Sequence, residues 1–174
     1  DSPGGKLPFT WPRTGGHVPM IYNHTRGHKP KDQGERYWDE ESTPLFPFGY
    51  GLSYSSFSYS APALSSESIA VGDTLTVSVT VTNEGSRDAD EVVQLYLHQR
   101  YGTSSRPVRE LKGFQRVTVQ AGASATVEFT LGPDELSYWS AATRDWVQDA
   151  TTFDLGVGGD SSVELNTTFS VTAG

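Results

Sequence analysis

The sequence predicts an all-β fold: an antiparallel β-sandwich preceded by an extended, proline-rich segment. Three observations carry that expectation. After Phe57, apolar and polar residues alternate with a period of two over several stretches. Turn residues separate those stretches at short intervals. Proline is crowded at the front, with seven of the ten prolines in residues 1–56.

The front segment comes first. Pro3, Pro8, Pro12, Pro19, Pro30, Pro44 and Pro47 remove backbone donors and break helices. Only short strands and extended coil are expected there. Val18-Pro19-Met20-Ile21-Tyr22 is the best strand candidate. The polar stretch from Asn23 to Thr43 reads as a long loop, and such loops usually lie over another surface. Trp11, Tyr22, Tyr37, Trp38, Phe46, Phe48 and Tyr50 need burial that 56 residues without long elements cannot supply. The segment is therefore expected to pack on protein outside this chain. The opening, Asp1-Ser2-Pro3-Gly4-Gly5, reads as the middle of a longer polypeptide.

The sandwich strands follow. Leu75, Val77, Val79 and Val81 share one face, with Thr and Ser between them, and Asn83-Glu84-Gly85 ends the run as a turn. From Asp90 to His98, Val93, Leu95 and Leu97 oppose Val92, Gln94 and Tyr96. A third strand is expected from Arg106 to Thr118, with Leu111, Phe114, Val117 and Val119 as its apolar positions. Ala123 to Leu131 alternates again. Gly132-Pro133-Asp134-Glu135-Leu136 reads as a short helical turn opened by proline. Tyr138-Trp139 and Trp146-Val147 suggest a hairpin. Thr152–Val157 and Val163–Val171 complete the set. Seven or eight strands in about 115 residues make a sandwich of the immunoglobulin/fibronectin type III kind.

Composition narrows the function. The net charge of −8 argues against nucleic-acid partners and anionic membranes. Residues 1–56 carry six acidic and six basic side chains, so residues 57–174 hold the whole excess. With no cysteine there is no disulfide, thiolate zinc site or cysteine nucleophile. No stretch approaches the roughly 18 apolar residues of a membrane span. No leader pattern is visible at the start.

Longer motifs are more specific. Thr43-Pro44-Leu45-Phe46-Pro47-Phe48-Gly49-Tyr50-Gly51-Leu52-Ser53-Tyr54, completed by Phe57, resembles the segment joining the second catalytic domain to the C-terminal sandwich in family 3 glycoside hydrolases. Its usual form is P-L-[FY]-P-F-G-[YH]-G-L-S-Y-[ST]-x-F. Gly5-Lys6-Leu7-Pro8-Phe9-Thr10-Trp11-Pro12 is similar to the family segment that ends the α/β-sandwich domain, and Ile21-Tyr22-Asn23-His24 to its Y-Y-N-H variant. Arg109-Glu110-Leu111-Lys112-Gly113-Phe114 and Phe153-Asp154-Leu155-Gly156-Val157-Gly158 resemble its sandwich strands. The likeness runs over nearly the whole chain, in order.

The resemblance implies a division at residue 56. Residues 1–56 would be the end of the α/β-sandwich domain plus an interdomain strap, and 57–174 the fibronectin type III-like sandwich. It implies a parent that hydrolyses terminal β-linked sugars with retention, and therefore two carboxyl groups about 5–5.5 Å apart. The family places its nucleophile in an N-terminal barrel and its acid/base upstream of the region matched here. Neither motif occurs in residues 1–174, so no catalytic residue, cofactor or metal is assigned. The implied partners are the N-terminal catalytic domains of the same protein and a β-linked glycoside. A secreted or periplasmic location follows by analogy.

Local candidates are weighed against plainer readings. Glu35, Asp39, Glu40 and Glu41 beside Tyr37 and Trp38 suggest a sugar-binding rim. The plainer reading is solvated loop charge with an aromatic anchor packed outside the chain. Trp139 and Trp146 read first as cross-strand partners and second as a sugar-stacking platform. His24 and His28 lie four apart, but Gly27 and Pro30 oppose the helix that would align them on a metal. Ser53 lacks the G-x-S-x-G elbow. Gly49 and Gly51 read as turning points between packed aromatics, not as a phosphate loop. Gly156, Gly158 and Gly159 read as a strand end and turn. Asn23-His24-Thr25 and Asn166-Thr167-Thr168 fit the glycosylation pattern.

Overall fold

The structure, a computed structural model, describes residues 2–17, 20–26, 41 and 43–174. The strands are β1 (Phe57–Tyr59), β2 (Ala63–Leu64), β3 (Ser68–Ala70), β4 (Leu75–Asn83), β5 (Ala89–Gln99) and β6 (Glu110–Val119). They continue with β7 (Ser124–Leu131), the one-turn helix α1 (Pro133–Leu136), β8 (Tyr138–Ser140), β9 (Asp145–Val147), β10 (Thr152–Gly158) and β11 (Thr167–Thr172).

Two sheets face each other. In the first, β4 is central, with β7 on one edge and β1 and β2 in succession on the other. Pro62 has no N–H to give, and the chain between β1 and β2 leaves the ladder there. The second sheet runs β3-β11-β10-β5-β6 and is antiparallel except where β3 meets β11. The inward residues are the expected ones: Leu75, Val77, Val79 and Val81 from β4, Val127, Phe129 and Leu131 from β7, and Val93, Leu95 and Leu97 from β5. Phe153 and Phe169 stack between β10 and β11 at 5.2 Å. The α1 turn and the β8–β9 hairpin form where the sequence suggests them.

Four details differ from the sequence reading. The third strand starts at Glu110 rather than Arg106; Pro107 instead makes an isolated bridge to Thr25. The expected apolar face of that strand is split in two ways. Phe114 faces away from Val117 and Val119 by plain alternation, opposite the outward Gln94, and is exposed. Leu111 is carried opposite the outward Tyr96 by a register slip between Leu95 and Tyr96. β11 begins at Thr167, not Val163. Residues 163–165 press instead against Gly156, which sits inside β10, and against Gly158, its last residue. A Cβ on Gly156 would lie 2.3 Å from the Glu164 carbonyl oxygen, and one on Gly158 would lie 2.9 Å from the Val163 side chain. Finally, Met20 and Ile21 form no strand; Val18 and Pro19 lie outside the described residues.

Candidate functional site

β5 is buried on both faces over its second half. One face belongs to the sandwich core. The other carries Gln94, Tyr96 and His98, and it is covered by the front segment, hereafter the strap. Tyr22 stacks on Phe48 at 4.1 Å and meets Tyr96 edge-on at 6.0 Å. The Leu111 N–H donates to the Tyr22 hydroxyl. The strap aromatics were expected to wait for protein outside the chain. Tyr22 and Phe48 instead find their partner in the sandwich, because the outward face of β5 offers a buried phenol.

Gln94 is the joint of this contact. Its amide N–H groups donate to the carbonyls of Gly49 (3.0 Å) and Gly159 (2.6 Å), and its oxygen accepts from the Tyr96 hydroxyl at 2.6 Å. Every polar atom of the amide is used, as burial demands. Gly49 has φ +80°, and a Cβ there would lie 2.1 Å from Gln94 Oε1. Only glycine fits, both for backbone and for space. Burial pushes the Tyr96 phenol well up. Close by, Lys6 Nζ is 2.7 Å from Glu91 Oε1. Burial first, and the Glu91 carboxylate second, push the Tyr59 phenol up as well. Arg109 spans the same edge, donating from Nη1 to the Ser161 and Val163 carbonyls, and burial draws its guanidinium down from the ordinary value.

The strap also pairs with itself. Residues 7–11 run antiparallel to 45–50 through Leu7 N to Tyr50 O, Gly49 N to Leu7 O and Trp11 N to Phe46 O, each 2.8 Å. This places Phe9 on Trp11 at 5.4 Å and Phe46 on Tyr50 at 4.7 Å. Their outer sides stay open. Eleven large apolar side chains are exposed among the described residues, and six of them lie in the strap: Phe9, Trp11, Ile21, Leu45, Leu52 and Tyr54.

The sequence candidates fare unevenly. Glu35, Tyr37, Trp38, Asp39, Glu40 and His28 lie outside the described residues. Glu41 is exposed and sits 3.5 Å from Arg13. Ser53 bonds Ser2 through their hydroxyls at 3.0 Å, a structural contact. Trp139 and Trp146 face each other across β8–β9, edge to face at 6.0 Å, and are 56% and 65% exposed. Their hairpin is fixed from behind. Tyr138 is buried, its hydroxyl donates to Asp149 at 3.0 Å, and the Arg106 guanidinium lies 4.3 Å from its ring centroid. Sequence reasoning missed Gln94, Tyr96 and His98 as strap contacts. The available signal was a tyrosine and two amide or imidazole side chains on the supposedly solvated face of a strand.

The family model for the fibronectin type III-like domain matches residues 91–161. A β-xylosidase of Formosa agariphila is 42% identical over 171 residues, covering 98% of this chain and 23% of that protein. A periplasmic β-glucosidase of Salmonella typhimurium is 38% identical, covering 92% of this chain and 22% of that protein. The chain thus spans under a quarter of the length of these curated relatives. Among solved structures, a β-glucosidase from Listeria innocua in complex with gluconolactone superposes with a TM-score of 0.87 at 36% identity, over 98% of this chain and 24% of that one.

Proposed function

The chain belongs to the family 3 glycoside hydrolases, as the C-terminal, fibronectin type III-like portion of a β-glucosidase/β-xylosidase-type enzyme, and from that premise we propose that it is a structural part of an exo-acting retaining β-glycosidase. In this reading residues 57–174 form the supporting sandwich, and residues 1–56 are the end of the α/β-sandwich domain plus the strap. The catalytic carboxyl pair belongs to the remainder of the enzyme, and so does the choice of terminal β-linked sugar. One observation carries the reading: the strap packs Tyr22 and Phe48 onto β5 and leaves six large apolar side chains exposed. Patches of that kind mark interaction surfaces. The natural occupant is the rest of the same polypeptide. By analogy with the periplasmic relative, the enzyme works in the periplasm or outside the cell.

A second reading rests on Trp139 and Trp146. Two indoles held open by an anchored hairpin suit the C–H face of a pyranose, so the sandwich would act as an autonomous glycan-binding module.

The test is hydrolysis of a panel of aryl β-glycosides by this chain alone and by this chain mixed with the remaining domains. No turnover alone, with turnover gained in the mixture over the remaining domains by themselves, is the expected result. Turnover by the chain alone would overturn the proposal. Oligosaccharide binding by the chain alone, lost in Trp146→Ala, would favour the second reading.

A further inference from the structure

A titratable imidazole joins the strap to the sandwich at His98. His98 is 5% exposed on the outward face of β5. Its Nδ1 lies 2.7 Å from the Pro107 carbonyl oxygen, and its Nε2 lies 2.8 Å from Arg26 Nη2. A carbonyl can only accept and a guanidinium can only donate. Nδ1 therefore carries the ring proton, and Nε2 is a bare acceptor for Arg26. The imidazole is neutral as long as both contacts stand. A second proton would go to Nε2. It would convert the acceptor into a donor and set an imidazolium against a guanidinium that stays charged throughout the accessible range.

We propose that the Arg26–His98 contact is an acid-released latch that holds the strap on the sandwich at neutral pH.

The charges around His98 allow this. Asp154 stands opposite His98 in the β5–β10 register, and its carboxylate would favour an imidazolium. Arg100 already engages both oxygens of that carboxylate. Glu110, at the start of β6, is taken by Arg106 at 2.6 Å, with Lys112 at 3.9 Å. Tyr96, on the same face, has its phenol pushed up by burial and stays neutral. Arg26, Arg100 and Arg106 line one open basin of about 430 Å³ together with His98. Extra positive charge at His98 thus meets three arginines, one of them with no acidic partner among the described residues. The latch also sits where the strap crosses the sandwich. Thr25 bridges Pro107, and the Val108 N–H donates to the His24 carbonyl at 2.9 Å. Imidazolium keeps the Nδ1–H bond to Pro107, so the strap side gives way first.

Nitrogen NMR of His98 and amide exchange at Val108 test the proposal on this chain. The spectrum at pH 7.5 should report the Nδ1–H tautomer. Protection of Val108, corrected for intrinsic exchange, should fall about tenfold between pH 7.5 and 5 while Val79 in the core holds. Arg26→Met and His98→Gln should each leave Val108 without that pH step, whatever their absolute protection. An Nε2–H tautomer, a flat Val108 profile in the unmodified chain, or the same step in Arg26→Met would each overturn the latch.

Discussion

The sandwich and the strap are built on opposite plans. The sandwich encloses its own core: its inward side chains are almost wholly removed from water, and its outward positions are mostly Thr, Ser and charge. The described strap residues enclose no core of their own: they borrow burial from the outer face of β5 and leave large apolar side chains exposed. The contrast teaches that the strap is held by a few specific joints, whereas the sandwich is held by area.

That contrast can be broken at several points, of decreasing size. Leu95→Ala removes a fully buried side chain between the sheets and should cost the sandwich about 2–5 kcal/mol in denaturant unfolding. A cost near zero would mean the core is not closed. Gly49→Ala should act on the strap alone. A left-handed φ and a Cβ aimed at Gln94 Oε1 should loosen docking by about 1–3 kcal/mol. The reporter is the Ser161 amide, whose N–H donates to the Phe48 carbonyl; Val79 should be unmoved. Equal losses at both amides would show that strap and sandwich unfold together.

A smaller effect is expected from acid. Burial tends to raise Asp154, but the hydrogen bonds and charge of Arg100 and the Thr168 hydroxyl outweigh it and hold the carboxyl below the ordinary range. A depressed folded value contributes stability above the ordinary carboxylate range that is lost as pH falls through the folded value. Asp154→Asn should flatten stability in that acid window by no more than about 1 kcal/mol, because the pair is partly exposed and screened. Smallest of all is Trp11→Ala. In this chain alone it should shift unfolding by less than about 0.5 kcal/mol. Its effect should appear in the mixture, as weaker gain of glycosidase turnover. A large loss in the chain alone would place Trp11 in a joint and not on a docking face.

Much of the sandwich was legible because its physics is periodic. β4 and β7 follow alternation, and α1 follows Gly132-Pro133. The misses have local causes. The slip between β5 and β6 is a one-residue event, and alternation cannot locate it without the partner strand. Gly156 looks like a strand-end or turn residue in sequence but lies inside β10, and its role depends on Glu164 arriving from elsewhere. The candidate site was harder still. Gln94, Tyr96 and His98 look solvated until the strap is laid over them. Trp139 and Trp146 were found as a cross-strand pair, which their spacing around a turn made readable.

The position of β11 bears on synthesis. It lies between β3 and β10, and it is the parallel partner that β3 needs, about a hundred residues after β3. β5 can pair with β6, and β4 with β7, while the chain is still being made. The strand nearest the front of the second sheet cannot. A ribosome holding residues 167–172 in its tunnel would hold a sandwich with β3 and one edge of β10 unpaired. Such open edges invite association with other nascent chains. Closure of this fold therefore waits for β11 and is set by when that strand emerges.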